Sequence, residues 1–272
     1  MSGAPSPSVS PELKSLMRRL KLGRLLDTLP ERVALARQHD LGHLEFLEEL
    51  FSDEVTRRDT SATSVRARAA HLDPAMVLEA WDETANITFD KAVWSELVSL
   101  RFVESAQNAL FLGPVGVGKT FLASALGHVA CRRRFSVHFE RADRLHKRLK
   151  ASRLDASYDH EMRKLIGVDL LIVDDVTLQA LDATATSDFY DLVVERHRRA
   201  STVLTSNRDT SEWLAVMADP LLAQSAIDRI TSAAWELVIE GESYRKREKP
   251  TLGSMAMVPE AAHAPRRRSL TS

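Results

Sequence analysis

The sequence predicts an α/β chain: a three-layer domain built on a parallel sheet, preceded by a small all-helical segment. Three observations predict it. Leucine-rich stripes at helical spacing fill residues 11–104, and short apolar runs alternate with amphipathic stretches of helical length over 105–247. Between the first run and the first stretch stands a glycine-rich loop ending in Gly-Lys-Thr.

The helical segment opens with Leu13, Leu16, Met17 and Leu20 at i, i+3, i+4 and i+7, one apolar stripe. Gly23 interrupts it, and Pro30 suits the first turn of a helix running to about Gln38. Leu44, Leu47, Leu50, Phe51 and Val55 form the next stripe. Asp73-Pro74 offers an N-cap followed by proline at N1, and Asp90 can cap a helix carrying Val93, Trp94, Leu97 and Leu100. A bundle of this kind serves assembly or docking and needs no chemistry of its own.

From residue 105 the texture changes. Apolar runs stand at 109–112, 136–139, 170–173, 202–205 and 235–239, and the third is apolar throughout, as a strand buried on both faces must be. The stretches 120–134, 142–166 and 184–200 have helical length. Residues 1–10 and 248–272 read as flexible tails, the second one basic.

The loop is Gly113-Pro114-Val115-Gly116-Val117-Gly118-Lys119-Thr120, which matches G-x-x-x-x-G-K-[ST] at every fixed position. Its glycines let the backbone curl around phosphate, its N–H groups form an anion nest, and the following helix adds a positive dipole end. Lys119 can reach the β- and γ-phosphates of ATP, and the Thr120 hydroxyl can ligate Mg²⁺. Leu170-Leu-Ile-Val-Asp174-Asp175 ends a buried strand in two carboxylates. Alone, such a pair serves as a turn or a cap. Beside a phosphate loop, Asp174 suits the Mg²⁺ shell and Asp175 suits activation of a water. Thr202-Val-Leu-Thr-Ser-Asn207 ends in an amide that could reach the γ-phosphate, although asparagine also closes strands as a turn residue.

Composition bounds the rest. A chain of 272 residues that is 44% hydrophobic and 28% charged is globular. It has no apolar run long enough to span a membrane and no secretory leader, so the cytoplasm is expected and a membrane partner is not. One cysteine, Cys131, excludes an internal disulfide and a cysteine-rich zinc site. With 37 basic and 38 acidic residues there is no global field to attract nucleic acid, so such a role would need a local patch. One candidate runs from Arg141 to Arg153, where Arg144, Lys147 and Arg148 share a helix face at i, i+3 and i+4; a solvated face reads the same way.

Together these residues resemble AAA+ ATPases, in particular the clade of DnaC-type helicase loaders and IstB-type transposition helpers, with IstB the better match. The resemblance rests on Asn108-Ala-Leu-Phe-Leu-Gly-Pro-Val-Gly-Val-Gly-Lys-Thr-Phe-Leu-Ala-Ser-Ala-Leu-Gly127, Val168-Asp-Leu-Leu-Ile-Val-Asp-Asp175 and Ser201-Thr-Val-Leu-Thr-Ser-Asn-Arg208. It continues through Asp219-Pro-Leu-Leu-Ala-Gln-Ser-Ala-Ile-Asp-Arg-Ile230 and Gly241-Glu-Ser-Tyr-Arg245, and in the helical segment covers length and leucine spacing only.

The resemblance implies the AAA+ strand order, ATP sandwiched between copies of the chain, Asn207 as the γ-phosphate sensor and Arg229 as an arginine finger acting in trans. An arginine near a helix end is otherwise a plain dipole partner. Many relatives carry Glu where Asp175 stands. The short span after the last strand leaves no place for a full helical lid, with Arg245 the remaining candidate for a second sensor. The implied function is an ATP-dependent homo-oligomer on double-stranded DNA, without sequence preference, that assists a transposase; the alternative is a replicative helicase loader. A small-molecule P-loop kinase fits less well, since Asp174, Asp175, Asn207 and Arg229 suit water as the acceptor. A scaffold that only binds ATP remains if Asp175 is inert.

Overall fold

The computed structural model describes residues 9–244, apart from 83, 85 and 233. The candidate second sensor Arg245 and the basic tail lie outside the described residues.

Helix α1 (Pro11–Arg19) is capped by Ser10, whose hydroxyl accepts from the Leu13 N–H at 3.2 Å. Helix α2 (Leu25–Gln38) ends where expected but begins a turn earlier, leaving Pro30 inside rather than at its start. Burial explains this: Leu25 and Leu29 pack with Met17 and Leu50 into a small separate core, which holds the turn despite the missing N–H. Helix α3 (His43–Ala69) is 27 residues long, far beyond the stripe that announced it. Of that stripe only Leu50 is buried; Leu44 is 82% exposed, and Leu47, Phe51 and Val55 also face outward. The bundle is too small to cover them. Its one buried carboxylate, Glu54, is clasped by Arg57 and Arg58, and the Arg57 hydrogen bond holds it down at about 2 against the cost of burial.

The far half of α3 joins a different core. Ala67, Ala70 and Leu72 pack with the sheet, and Arg66 donates to the Cys131 carbonyl at 2.9 Å. Cys131 is itself buried, which pushes its thiol up to about 11 and leaves it unreactive. Asp73-Pro74 makes a turn, with Asp73 accepting from the Ala75 N–H at 2.9 Å, and no α-helix follows. A short 3₁₀ turn (Leu78–Ala80) and a two-residue strand β1 (Ile87–Thr88) stand there instead, because Leu78 and Trp81 pack back onto the core. Asp90 does cap α4 (Lys91–Ser99), accepting from Ala92 and Val93. Leu97 of α4, Leu100 beyond it and Phe102 of α5 (Arg101–Glu104) lie in the sheet's core. The packing therefore divides the chain within α3, ahead of the change in sequence texture near residue 105.

Five parallel strands form the sheet: β2 (Asn108–Leu112), β3 (Val137–Arg141), β4 (Leu170–Asp174), β5 (Ser201–Ser206) and β6 (Ala234–Val238), in the order β3-β4-β5-β2-β6. Each predicted run lies on one of them. Side chains alternate between two cores: Ala109, Phe111, Ile172, Val203 and Leu237 join α6 (Lys119–Arg132) on one face. Leu110, Leu112, Leu171, Val173 and Leu204 join α7 (Ala142–Ser152), α8 (Tyr158–Ile166), α9 (Ala183–Arg196) and α10 (Pro220–Thr231) on the other. The single helix expected over 142–166 is thus two, broken at a turn where Asp155 accepts from Ser157 and Ala156 is left-handed. A last strand, β7 (Glu240–Gly241), pairs antiparallel with β1.

Candidate nucleotide site

The connection from β2 to α6 places the glycine loop at the carboxyl edge of β2, the strand between β5 and β6. Its three glycines all have positive φ, Gly118 at +91°, and at the other two a Cβ would also collide. Gly113 has φ +148°, and a Cβ there would stand 2.1 Å from the Ile239 carbonyl oxygen. Gly116 has φ +90°, and a Cβ there would stand 2.1 Å from the Ser243 hydroxyl. The chain after β6 therefore lies directly on the loop, and the Tyr244 N–H donates to the Gly116 carbonyl at 2.9 Å.

Lys119, only 6% exposed, extends under the loop and donates to the Gly113 and Pro114 carbonyls, each at 2.7 Å. A buried ammonium at a helix N-terminus opposes the dipole there, and the loop carbonyls offset that cost. At the next residue, the Thr120 hydroxyl lies 3.0 and 3.1 Å from the two Asp174 oxygens, and the Thr205 hydroxyl donates to the same carboxylate at 2.6 Å. Asp174 is 2% exposed. Burial pushes its carboxyl above the ordinary range, the Asp175 charge adds to this, and the threonine hydrogen bonds pull it back.

Asp175 takes a left-handed backbone, φ +59°, with its N–H donating to the Thr205 hydroxyl at 2.8 Å. That conformation is uncommon for residues other than glycine, and aspartate tolerates it. It turns the side chain out of the strand and toward Arg141, whose guanidinium approaches to 4.0 Å. Asn207 follows β5, one residue past the Ser206 carbonyl that accepts from the Gly113 N–H, and its amide oxygen accepts from Thr177 at 3.4 Å. Arg229 sits in the last turn of α10, donating to the Ser225 carbonyl at 2.8 Å with its guanidinium 5.9 Å from the Tyr190 ring. It does not line the cleft of its own chain.

That cleft, about 440 Å³, has two chemically different halves. Lys119, Thr120, Arg141 and Asp175 line the polar one. Met76, Trp81, Ile87, Phe121 and Tyr244 line the other, with the Trp81 and Phe121 rings 5.3 Å apart. Phosphates fit the first and a purine base the second. Arg141 and the base-side residues were not among the expected site residues. The one available signal was three aromatics, Trp81, Phe89 and Trp94, within fourteen residues of a chain that is 6% aromatic.

The three basic residues expected on one face of α7 separate. Arg148 turns inward and is held by Glu140 and Glu161, so it is structural. Lys147 lines a small cavity of about 210 Å³ beside Asp175 and approaches Asp143 at 3.8 Å. Arg144 faces a third place, the groove under α3.

Fold and site define an AAA+ P-loop ATPase, with ATP as its ligand. The model of the IstB-like ATP-binding proteins matches residues 15–251, and the chain belongs to that family. It is 36% identical over 241 residues to the insertion-sequence ATP-binding protein Rv3427c of Mycobacterium tuberculosis, covering 88% of this chain and 96% of that one. It is 33% identical over 242 residues to the IS21 ATP-binding protein of Pseudomonas aeruginosa, covering 89% and 91%. Among solved structures, the replication initiator DnaA bound to AMPPCP and single-stranded DNA is 21% identical with TM-score 0.51, over 63% of this chain and 51% of that one. DnaI is 23% identical with TM-score 0.52, over 60% and 90%. These two likenesses are of fold. Among the described residues, no helix is long and apolar enough to cross a membrane.

Proposed function

We propose that this chain is the ATP-driven helper of an insertion-sequence transposase, assembling on duplex DNA without sequence preference and releasing it on hydrolysis. The observation that carries the reading is the meeting of Lys119, Thr120 and Asp175 on one cleft, with Asp174 buried 3.0 Å behind the Thr120 hydroxyl, in a chain of the insertion-sequence ATP-binding family.

Lys119 would exchange its loop carbonyls for the β- and γ-phosphate oxygens, and Trp81 and Phe121 would hold the base. The hydroxyl of Thr120 and the carboxylate of Asp174 are hard oxygen donors 3.0 Å apart, which suits Mg²⁺ held jointly with nucleotide phosphates. The ion supplies neutralisation of charge on the transferred phosphoryl group. Asp175, turned into the cleft by its left-handed backbone, would orient the attacking water and accept its proton. Asn207 would sense the γ-phosphate from the end of β5. Arg229, outside the lining of its own cleft, would complete the site of an adjacent copy, which ties hydrolysis to assembly.

Two measurements test this. In analytical ultracentrifugation with random-sequence duplex, large assemblies should form with ATP and disperse with ADP. Preference for single strands would move the assignment to a helicase loader, and a nucleotide-indifferent monomer would end it. Arg229→Ala should lower hydrolysis by roughly 10³-fold. Mixing it with Asp175→Asn copies should restore activity, because one interface in the mixture combines an intact Asp175 with an intact Arg229. Absence of rescue would rule out action in trans.

A further inference from the structure

A further cavity, about 900 Å³, runs between the far half of α3, the end of α6 and the start of α7. Three arginines converge on it from these elements: Arg68, Arg132 and Arg144. The one carboxylate on its wall, Asp59, is already paired with Arg134 at 3.2 Å. Arg132 is paired with Glu79 at 2.9 Å. Arg68 and Arg144 are exposed, and among the described residues neither has an ion-pair partner within 4.0 Å, although most arginines on these helices do.

The chain as a whole carries −1, so these two unpaired guanidinium groups are a local excess of cation. Along α3, Thr60, Ser64 and Arg68 follow one another at i, i+4 and i+8 beside the groove; the two hydroxyls donate to the Thr56 and Thr60 carbonyls, which leaves Arg68 as the phosphate donor of that row. No Phe, Tyr or Trp lines it, and its two rings are engaged, His71 edge-on to His138 and His128 at 2.9 Å from the Asp73 carbonyl, so phosphate contacts suit it better than stacking of unpaired bases. It is open and larger than the nucleotide cleft, the form suited to a polymer backbone.

We infer that this groove is a seat for the sugar–phosphate backbone of duplex DNA, with Arg68 and Arg144 as its phosphate contacts. The inference rests on the proposed action on duplex DNA and places it at the joint between the helical module and the sheet domain. The 14-residue helix α6 has the phosphate loop at one end and the groove's His128 and Arg132 at the other. One rigid element about 21 Å long therefore separates nucleotide from DNA.

The test is anisotropy of a labelled random-sequence duplex with ATP across a salt series, for the full chain and for Arg68→Ala/Arg144→Ala. The double variant should bind roughly tenfold more weakly at about 150 mM salt, with the slope of log affinity against log salt shallower by about two per copy. Arg199→Ala, on an exposed pair with Glu195 away from the groove, should leave both unchanged. Unaltered binding of a fluorescent nucleotide by the double variant shows that it is folded. If the wild-type chain binds duplex and the double variant matches it in affinity and slope, the groove is overturned and the DNA reading stands. If the wild-type chain binds no duplex, both fall.

Discussion

Replacing Lys119 by alanine is expected to lower ATP affinity at least about 100-fold, a loss of about 3 kcal/mol, which is the scale of a charge-assisted contact in a desolvated site. The ammonium is the one cation buried under the loop, 6% exposed and reaching two of its carbonyls. Arg141 lines the same cleft but approaches Asp175, so it cannot take over. Truncation also leaves the Gly113 and Pro114 carbonyls without that donor, at a cost of about 1–3 kcal/mol each where water cannot enter. The variant should therefore melt at lower temperature as well as bind poorly. Fluorescent-nucleotide titration reads the first effect, and retained affinity would remove Lys119 from the site.

The second large effect is expected at Asp175→Asn. Asparagine tolerates the left-handed backbone that Asp175 adopts, and the main-chain bond to Thr205 does not involve the side chain. The fold, Asp174 and Lys119 are left intact, so ATP binding should hold within a few-fold. The amide cannot accept the water's proton, and turnover should fall by about 10²–10⁴. ATP-bound assemblies on DNA should then persist. Normal phosphate release from this variant would place the general base elsewhere and leave Asp175 as a turn residue.

The nucleotide machinery was legible in the sequence because its parts are local. A phosphate loop needs glycines at fixed offsets and a lysine one residue into a helix, and a buried strand ending in two carboxylates shows as an apolar run followed by Asp-Asp. The five strands were legible for the same reason: burial on both faces leaves unbroken apolar runs at β2 and β4. Misreadings fell where local patterns compete with packing. Pro30 reads as a helix start, yet Leu25 and Leu29 hold the turn before it. Asp73-Pro74 reads as a cap, yet Leu78 and Trp81 are drawn onto the core and the segment forms turns in place of an α-helix.

The stripe Leu44, Leu47, Phe51 and Val55 has helical period and lies on a helix, but period alone does not say whether a neighbour covers it, and here none does among the described residues. The three cations of α7 carry the complementary lesson. At i, i+3 and i+4 they look equivalent, and only their surroundings separate them: Glu140 and Glu161 for Arg148, the cavity beside Asp175 for Lys147, and α3 for Arg144.

Chemistry confined to a few neighbouring residues was set by the sequence alone: the phosphate loop, the paired carboxylates, the strands that carry them, and with these the ATPase class. Whatever depends on residues far apart in the chain was decided by tertiary structure. The apolar half of the cleft joins Trp81 to Phe121 and Tyr244, and the groove joins Arg68 to Arg144. The physical reason is range: a backbone turn is specified within about a turn of helix, whereas a wall built from separate elements exists only once the core beneath it has packed.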